Sequence, residues 1–215
     1  MSVQTKPRFA PAEYLELERA APYKSEFYNG EIFAMAGASE EHNVIVVNLA
    51  VSLAPQLRGR TCRTFVNDMR VKMVDAPIFY TYPDVVLVCG ERQFEDASVD
   101  TLLNPTVLIE VLSPSTEGYD RGNKFAFYRR IPSLQTYVLV SQDRPLVEAY
   151  ARQPDGRQWL LSEANGLSES LSLPAVGCTL RLADVYENVV FHPRLTHRPT
   201  ETSRTRRPTN DDTRL

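Results

Sequence analysis

Along the chain, hydrophobic positions recur with two different periods, and the switches between them predict the order of the elements. From Ala10 to about Ala21, Tyr14, Leu15 and Leu17 recur among glutamates at helical spacing, which predicts a short amphipathic helix. Alternating runs from Ser25 to Tyr28 and from Glu31 to Met35 flank Asn29-Gly30. An Asn-Gly pair in that setting predicts a hairpin, because both turn positions favour positive φ. Ser39–Leu57 is dense in Val, Ile, Leu and Ala, predicting a helix buried over most of its surface, capped by Ser39 and stopped by Gly59. Four strands are predicted next, at Thr61–Val66, Met69–Val74, Phe79–Cys89 and Thr106–Ser113. The last two are apolar on both faces, as central strands covered by helices are. Thr116–Arg130 predicts a helix and Gln135–Val140 another buried strand. Pro145–Tyr150 with Gln158–Leu161 predicts an antiparallel edge hairpin, and Leu180–Val189 a short terminal helix or turn. This order predicts an α/β fold with a mixed central β-sheet.

Composition narrows the class. The 215 residues, 43% hydrophobic and 24% charged, suit a folded domain of ordinary size spanning residues 1–191. From His192 to Leu215 the chain is Pro, Thr, Arg and Asp with almost nothing apolar, so a disordered basic tail is expected. No apolar run approaches the ~20 residues of a membrane span, and the N-terminus lacks the apolar core of a secretory signal, so a cytoplasmic protein is expected. Cys62, Cys89 and Cys178 are far apart, odd in number and outside CxxC pairs, and are expected to be buried thiols. Only three His are present, two of them in the tail, which argues against a His-rich metal site. Residues 192–215 hold six Arg against one Glu and two Asp, a net +3 within a chain of −3, so the remainder carries −6. An acidic body is unusual for a stable nucleic-acid binder, but suits an enzyme that meets nucleic acid briefly through bound cations and a local basic patch.

The candidate chemistry centres on two carboxylates. In Val107–Leu112, strand alternation places Leu108, Glu110 and Leu112 on one face and Val107, Ile109 and Val111 on the other. A carboxylate between two Leu on a central strand is costly unless it is paired with Lys or Arg or binds a cation. Asp84 stands in a comparable setting, after Tyr82-Pro83 and before Val85–Val88. Two such acids on adjacent strands repel each other, and a hard divalent cation between them relieves the repulsion. Oxygen ligands favour Mg²⁺ or Mn²⁺ over zinc. Lys124 shares a helical face with Asp120 and Tyr128. It forms either a surface pair with Asp120, or an ammonium aimed over the sheet at Glu110, where it can orient water and stabilise charge on a phosphate.

Tyr82-Pro83-Asp84-Val85-Val86, Ile109-Glu110-Val111-Leu112-Ser113-Pro114-Ser115-Thr116, Asp120 and Lys124 together resemble the Uma-two family, a bacterial branch of the PD-(D/E)XK nuclease superfamily. Glu26-Phe27-Tyr28-Asn29-Gly30-Glu31, with Met35 and His42, also fits that pattern, and the resemblance spans roughly residues 10–190. It implies a restriction-endonuclease-like fold, a mixed sheet flanked by helices with the acids at one end of the central strands. Asp84 and Glu110 match the metal-binding acids and Glu26 an additional N-terminal acid. The superfamily lysine normally stands two residues after the strand acid, where this chain has Leu112; the following helix nominates Lys124 instead. The implied activity is Mg²⁺- or Mn²⁺-dependent hydrolysis of DNA leaving 5′-phosphates, with a homodimer as a common assembly. His42 is expected to be a structural hydrogen-bonding residue. The alternatives are a catalytically weak or inactive nuclease-fold protein that binds or regulates nucleic acid, and a self-associating protein with no nucleic-acid role.

Overall fold

The computed structural model describes residues 7–73, 75 and 77–191; the tail expected beyond residue 191 lies outside them. Helix α1 (Pro11–Ala20) begins with Pro11 at its first position, and the Glu13 carboxylate accepts the Ala10 N–H at 2.6 Å. Strands β1 (Ser25–Tyr28) and β2 (Glu31–Ala34) form the expected hairpin, with φ of 48° at Asn29 and 95° at Gly30. Helix α2 (Glu40–Gln56) starts where the Ser39 hydroxyl accepts the His42 N–H at 3.2 Å. Its Ile45, Val46, Leu49 and Leu53 are buried, but Val47 is 59% and Val51 67% exposed. The expected burial over most of its surface is therefore corrected to a single stripe, because α2 packs on a sheet from one side only.

Among the described residues the strands form two large sheets and a separate two-stranded ribbon. The larger runs β11-β10-β9-β8-β6-β3 and the smaller β2-β1-β5-β4-β7. The larger comprises β3 (Cys62–Val66), β6 (Val85–Cys89), β8 (Val107–Leu112), β9 (Thr136–Ser141), β10 (Leu146–Arg152) and β11 (Trp159–Asn165). Its only parallel pair is β8–β9, so the sheet is mixed as expected. The smaller adds β4 (Arg70–Met73), β5 (Phe79–Thr81) and the two-residue β7 (Thr101–Leu102) to the first hairpin. The continuous strand expected at Phe79–Cys89 is broken. Pro83 has no N–H to give a ladder and holds a fixed φ, so the chain leaves the small sheet after Thr81 and enters the large one at Val85.

The helix after β8 is interrupted. Short α3 (Glu117–Tyr119) and α4 (Phe125–Tyr128) flank a π-helical turn at Asp120–Lys124. Near the C-terminus, β12 (Ser170–Leu173) and β13 (Cys178–Arg181) form a ribbon, and the short helix or turn expected at Leu180–Val189 is α5 (Leu182–Val185) followed by a turn over 186–188. On one face of the large sheet, Val107, Ile109 and Val111 pack with α2, the ribbon and α5; on the other, Leu108 and Leu112 pack with β4, β5 and Tyr128. Alternation along β8 thus divides the two cores as the sequence pattern requires.

The cysteines also depart from expectation. Cys62 and Cys89 form a disulfide, and only Cys178 is a free buried thiol. The two partners lie 27 residues apart in the chain but directly opposite in the β3–β6 register. Among the described residues no helix is long and apolar enough to cross a membrane.

Candidate active site

The site grows out of the break at Pro83. Because β6 begins only at Val85, its pairing with β8 ends at Val85↔Ile109, while β8 continues along β9 to Leu112. The edge of Glu110–Leu112 that faces β6 is therefore open. Asp84 fills part of the gap, its Oδ2 accepting the Val111 N–H at 2.7 Å in place of a strand carbonyl. The same oxygen lies 3.2 Å from Nε2 of His42, in the first turn of α2.

Glu110 is buried beside this gap. Its Oε1 accepts the Tyr128 hydroxyl at 2.7 Å and lies 2.9 Å from Nζ of Lys124. The Lys124 ammonium is also 3.5 Å from Glu26 on β1 and 3.5 Å from Asp120. Glu26 in turn accepts the Thr81 hydroxyl, at the last residue of β5. The structure thus brings Glu26, Glu110 and Lys124 together and places Asp84 on the β6 side of Glu110. The alternative of a surface Asp120–Lys124 pair is corrected: both residues are buried, at 3% and 5% exposure, because the helix lies across the sheet over Glu110. A π turn widens the helix where it presents these two side chains, a feature that recurs at functional sites. The Tyr137 hydroxyl donates to the Asp120 carbonyl at 3.1 Å and anchors that turn on β9.

Burial and the nearby Asp84 and Asp120 push the Glu110 carboxyl up to about 8, against the opposing pull of Lys124 and the Tyr128 hydroxyl. Burial also raises Asp120, again opposed by Lys124. For Lys124 burial alone favours the neutral amine, but Glu110, Glu26 and Asp120 outweigh it and hold the group well above its ordinary range. The three acids therefore favour the cationic form of Lys124, which suits it to donate rather than to act as a base. Three acids (Glu26, Glu110 and Asp120) share the Lys124 ammonium, while Asp84 faces His42 and the Val111 N–H.

Sequence reasoning left Asp120, Tyr128 and Thr81 outside the site. The first two carried a signal, since Asp120, Lys124 and Tyr128 repeat at four-residue spacing; Thr81 carried none. Among the described residues no three His, Cys, Asp or Glu side chains converge closely enough to enclose a metal ion by themselves. The donors nevertheless fit a hard cation bound openly. They are all oxygen, they carry excess negative charge, and the hydrogen bonds above fall on Oδ2 of Asp84 and Oε1 of Glu110. Mg²⁺ commonly takes one or two carboxylates and keeps several waters or substrate oxygens. An open cleft elsewhere is lined by Asn48, Gln56, Thr179, Arg181, Asp184 and Glu187, and neither of its two acids is buried.

A mixed sheet flanked by helices, with acids where the central strands part, defines a restriction-endonuclease-like fold. The chain belongs to the Uma2 family, whose model, described as "Putative restriction endonuclease", matches residues 11–183. Two relatives are uncharacterized proteins of Synechocystis sp. One, sll1609, is 43% identical over 166 residues, covering 77% of this chain and 93% of the relative. The other, slr1290, is 36% identical over 185 residues, covering 86% of this chain and 95% of the relative. The fold is similar to the crystal structure of a "putative nuclease belonging to DUF820" from Anabaena variabilis, with a TM-score of 0.63 at 20% identity. That match covers 81% of this chain and 96% of the other.

Proposed function

We propose that this protein is a divalent-cation-dependent endonuclease that hydrolyses phosphodiester bonds of DNA, with Asp84, Glu110, Lys124 and Glu26 as its active-site residues. The observation that carries the proposal is the buried Lys124 ammonium, 2.9 Å from Glu110 and delivered from the helix after β8 in a chain that has Leu112 two residues past the strand acid. A lysine so placed is what the nuclease chemistry needs, reached by a different stretch of chain.

Asp84 and Glu110 would hold Mg²⁺ or Mn²⁺, which supplies charge neutralisation at the scissile phosphate and lowers the pKa of a bound water. The protein's own groups do the rest. Lys124, kept protonated by its three acidic neighbours, donates to the attacking water and stabilises negative charge developing on the non-bridging phosphate oxygens. Glu26 and Asp120 hold that ammonium over the sheet before substrate arrives, so its orientation is set in advance. Tyr128 keeps Glu110 in one orientation through its 2.7 Å hydrogen bond. In-line attack forms the new P–O bond and breaks the P–O3′ bond; the water's proton passes to solvent, solvent protonates the leaving 3′ oxygen, and a 5′-phosphate remains.

The deciding experiment is cleavage of plasmid and single-stranded DNA in Mg²⁺ or Mn²⁺, comparing wild type with Glu110→Gln. Cleavage by wild type should fall by at least ~100-fold in the variant, as when a group that stabilises the transition state is removed. Circular dichroism should confirm that the variant stays folded. Equal cutting by both proteins would sink the proposal. A wild type that binds DNA but never cuts it, with affinity falling steeply as salt rises, would mark a nuclease-fold binding protein.

A further inference from the structure

Asp84 has to present its carboxylate to a cation from a short connection between two sheets, where no strand ladder holds the side chain. Two groups fix it. The Val111 N–H donates to Oδ2 at 2.7 Å, and Nε2 of His42 lies 3.2 Å from the same oxygen. Both contacts fall on Oδ2, and no hydrogen bond among the described residues falls on Oδ1. The two side chains are 87% and 83% enclosed, with His42 at 13% and Asp84 at 17% exposure.

The imidazole is itself held by its surroundings. His42 sits in the first turn of α2, and the Ser39 hydroxyl accepts its backbone N–H at 3.2 Å. Its second nitrogen, Nδ1, is buried and has no hydrogen-bond partner among the described residues. A histidine that only ties elements together ordinarily uses both nitrogens, one as donor and one as acceptor. Here the imidazole leaves Nδ1 bare and spends its one contact on Asp84. A carboxylate oxygen can only accept, so a hydrogen bond across this 3.2 Å contact requires the ring proton to stand on Nε2.

We propose that His42 is a positioning residue, whose Nε2–H clamps Oδ2 of Asp84 so that the free Oδ1 and Glu110 face one cation together. The proposal rests on the nuclease function proposed above and extends it to a group that touches neither substrate nor metal. Without the clamp the carboxylate is held by the Val111 amide alone and can turn about its terminal torsion. The open donor set then loses its shape while the fold keeps its core.

Three variants separate this from a general structural role. Along the side chain, the amide nitrogen of Gln reaches the position of Nε2, whereas that of Asn reaches only the position of Nδ1. Binding of Mn²⁺ alone, followed by calorimetry, should weaken by ~10-fold or more in His42→Ala, as when an outer hydrogen-bond partner of a metal ligand is lost. His42→Gln should recover most of that loss and His42→Asn should not. The same order in kcat with Mg²⁺, at saturating DNA, is expected. Wild-type affinity in His42→Ala, or equal losses in Gln and Asn variants, would overturn the clamp. Nitrogen NMR of the metal-free protein gives a check that needs no activity. The Nε2–H tautomer supports the clamp, and the Nδ1–H tautomer rejects it even in a chain that cuts DNA. Failure to cut DNA with the Nε2–H tautomer present would instead count against the nuclease function.

Discussion

Replacing Lys124 with Met tests the electrostatic design of the site most directly. The methionine keeps the length and much of the volume of the side chain while removing the ammonium that Glu110, Glu26 and Asp120 share at 2.9, 3.5 and 3.5 Å. Removing one partner of a buried ion pair costs about 3–5 kcal/mol, because the other charge stays behind uncompensated. Glu110 is already pushed up to about 8 and can relieve part of the strain by keeping a proton, which points to the lower half of that range. At about 2–4 °C per kcal/mol for a chain of this size, Tm should fall by about 6–16 °C in EDTA. The loss should be partly restored by a divalent cation. Occupancy at a hundred times its Kd stabilises a folded protein by about 2.7 kcal/mol. The variant should gain more from Mn²⁺ than wild type does, since its acids have lost their internal counter-charge. Melting curves by circular dichroism, with EDTA and with a Mn²⁺ series, read both effects. A variant that melts within about 2 °C of wild type in EDTA would refute the assignment of Lys124 as the counter-charge of this cluster.

Two further outcomes follow from the same geometry. Tyr128→Phe removes the hydroxyl that donates to Glu110 at 2.7 Å and should lower stability by about 1–2 kcal/mol in urea unfolding, because one carboxylate oxygen loses a buried donor. The Glu110 carboxyl should move further above about 8 by carbon NMR, since that hydroxyl pulls it down; an unmoved urea midpoint would discount the bond. Arg19→Ala addresses acid stability, because the Arg19 guanidinium donates to Asp100 at 2.8 and 2.9 Å and holds its carboxyl at about 2, below the ordinary 3.8. A depressed folded pKa gives stability that is present above the unfolded value and lost as pH falls from 3.8 towards 2. The gap between wild type and variant should therefore close across that window, and a gap equal at pH 5 and pH 2 would show that the pair contributes nothing through Asp100.

Some of this architecture could be read directly from the chain because its causes are local. Asn29-Gly30 adopts positive φ wherever an alternating run enters and leaves it, so the hairpin needs no distant partner. The alternation of Val107–Leu112 assigns Glu110 to the face of Leu108 and Leu112, and packing respects that assignment. Other features could not be read so. The apolar content of Ser39–Leu57 did not say that Val47 and Val51 would face outward, since exposure depends on what lies across from the helix. Pro83 could mark an edge position, a bulge or a break, and only the pairing of Phe79–Thr81 with one sheet and Val85–Cys89 with another made it a break. Cys62 and Cys89, unremarkable at 27 residues apart, became opposite residues once β3 lay beside β6.

The sequence by itself determined the local periods, the hairpin, the acid on a central strand and the four-residue spacing of Asp120, Lys124 and Tyr128. Each of these follows from steric preferences and side-chain direction within a few residues. Tertiary structure alone decided that Glu26, Glu110 and Lys124, from three separate elements, would meet, and that His42 would reach Asp84. Those encounters depend on strand register and on how a helix lies across a sheet, which are set by the packing of both cores at once.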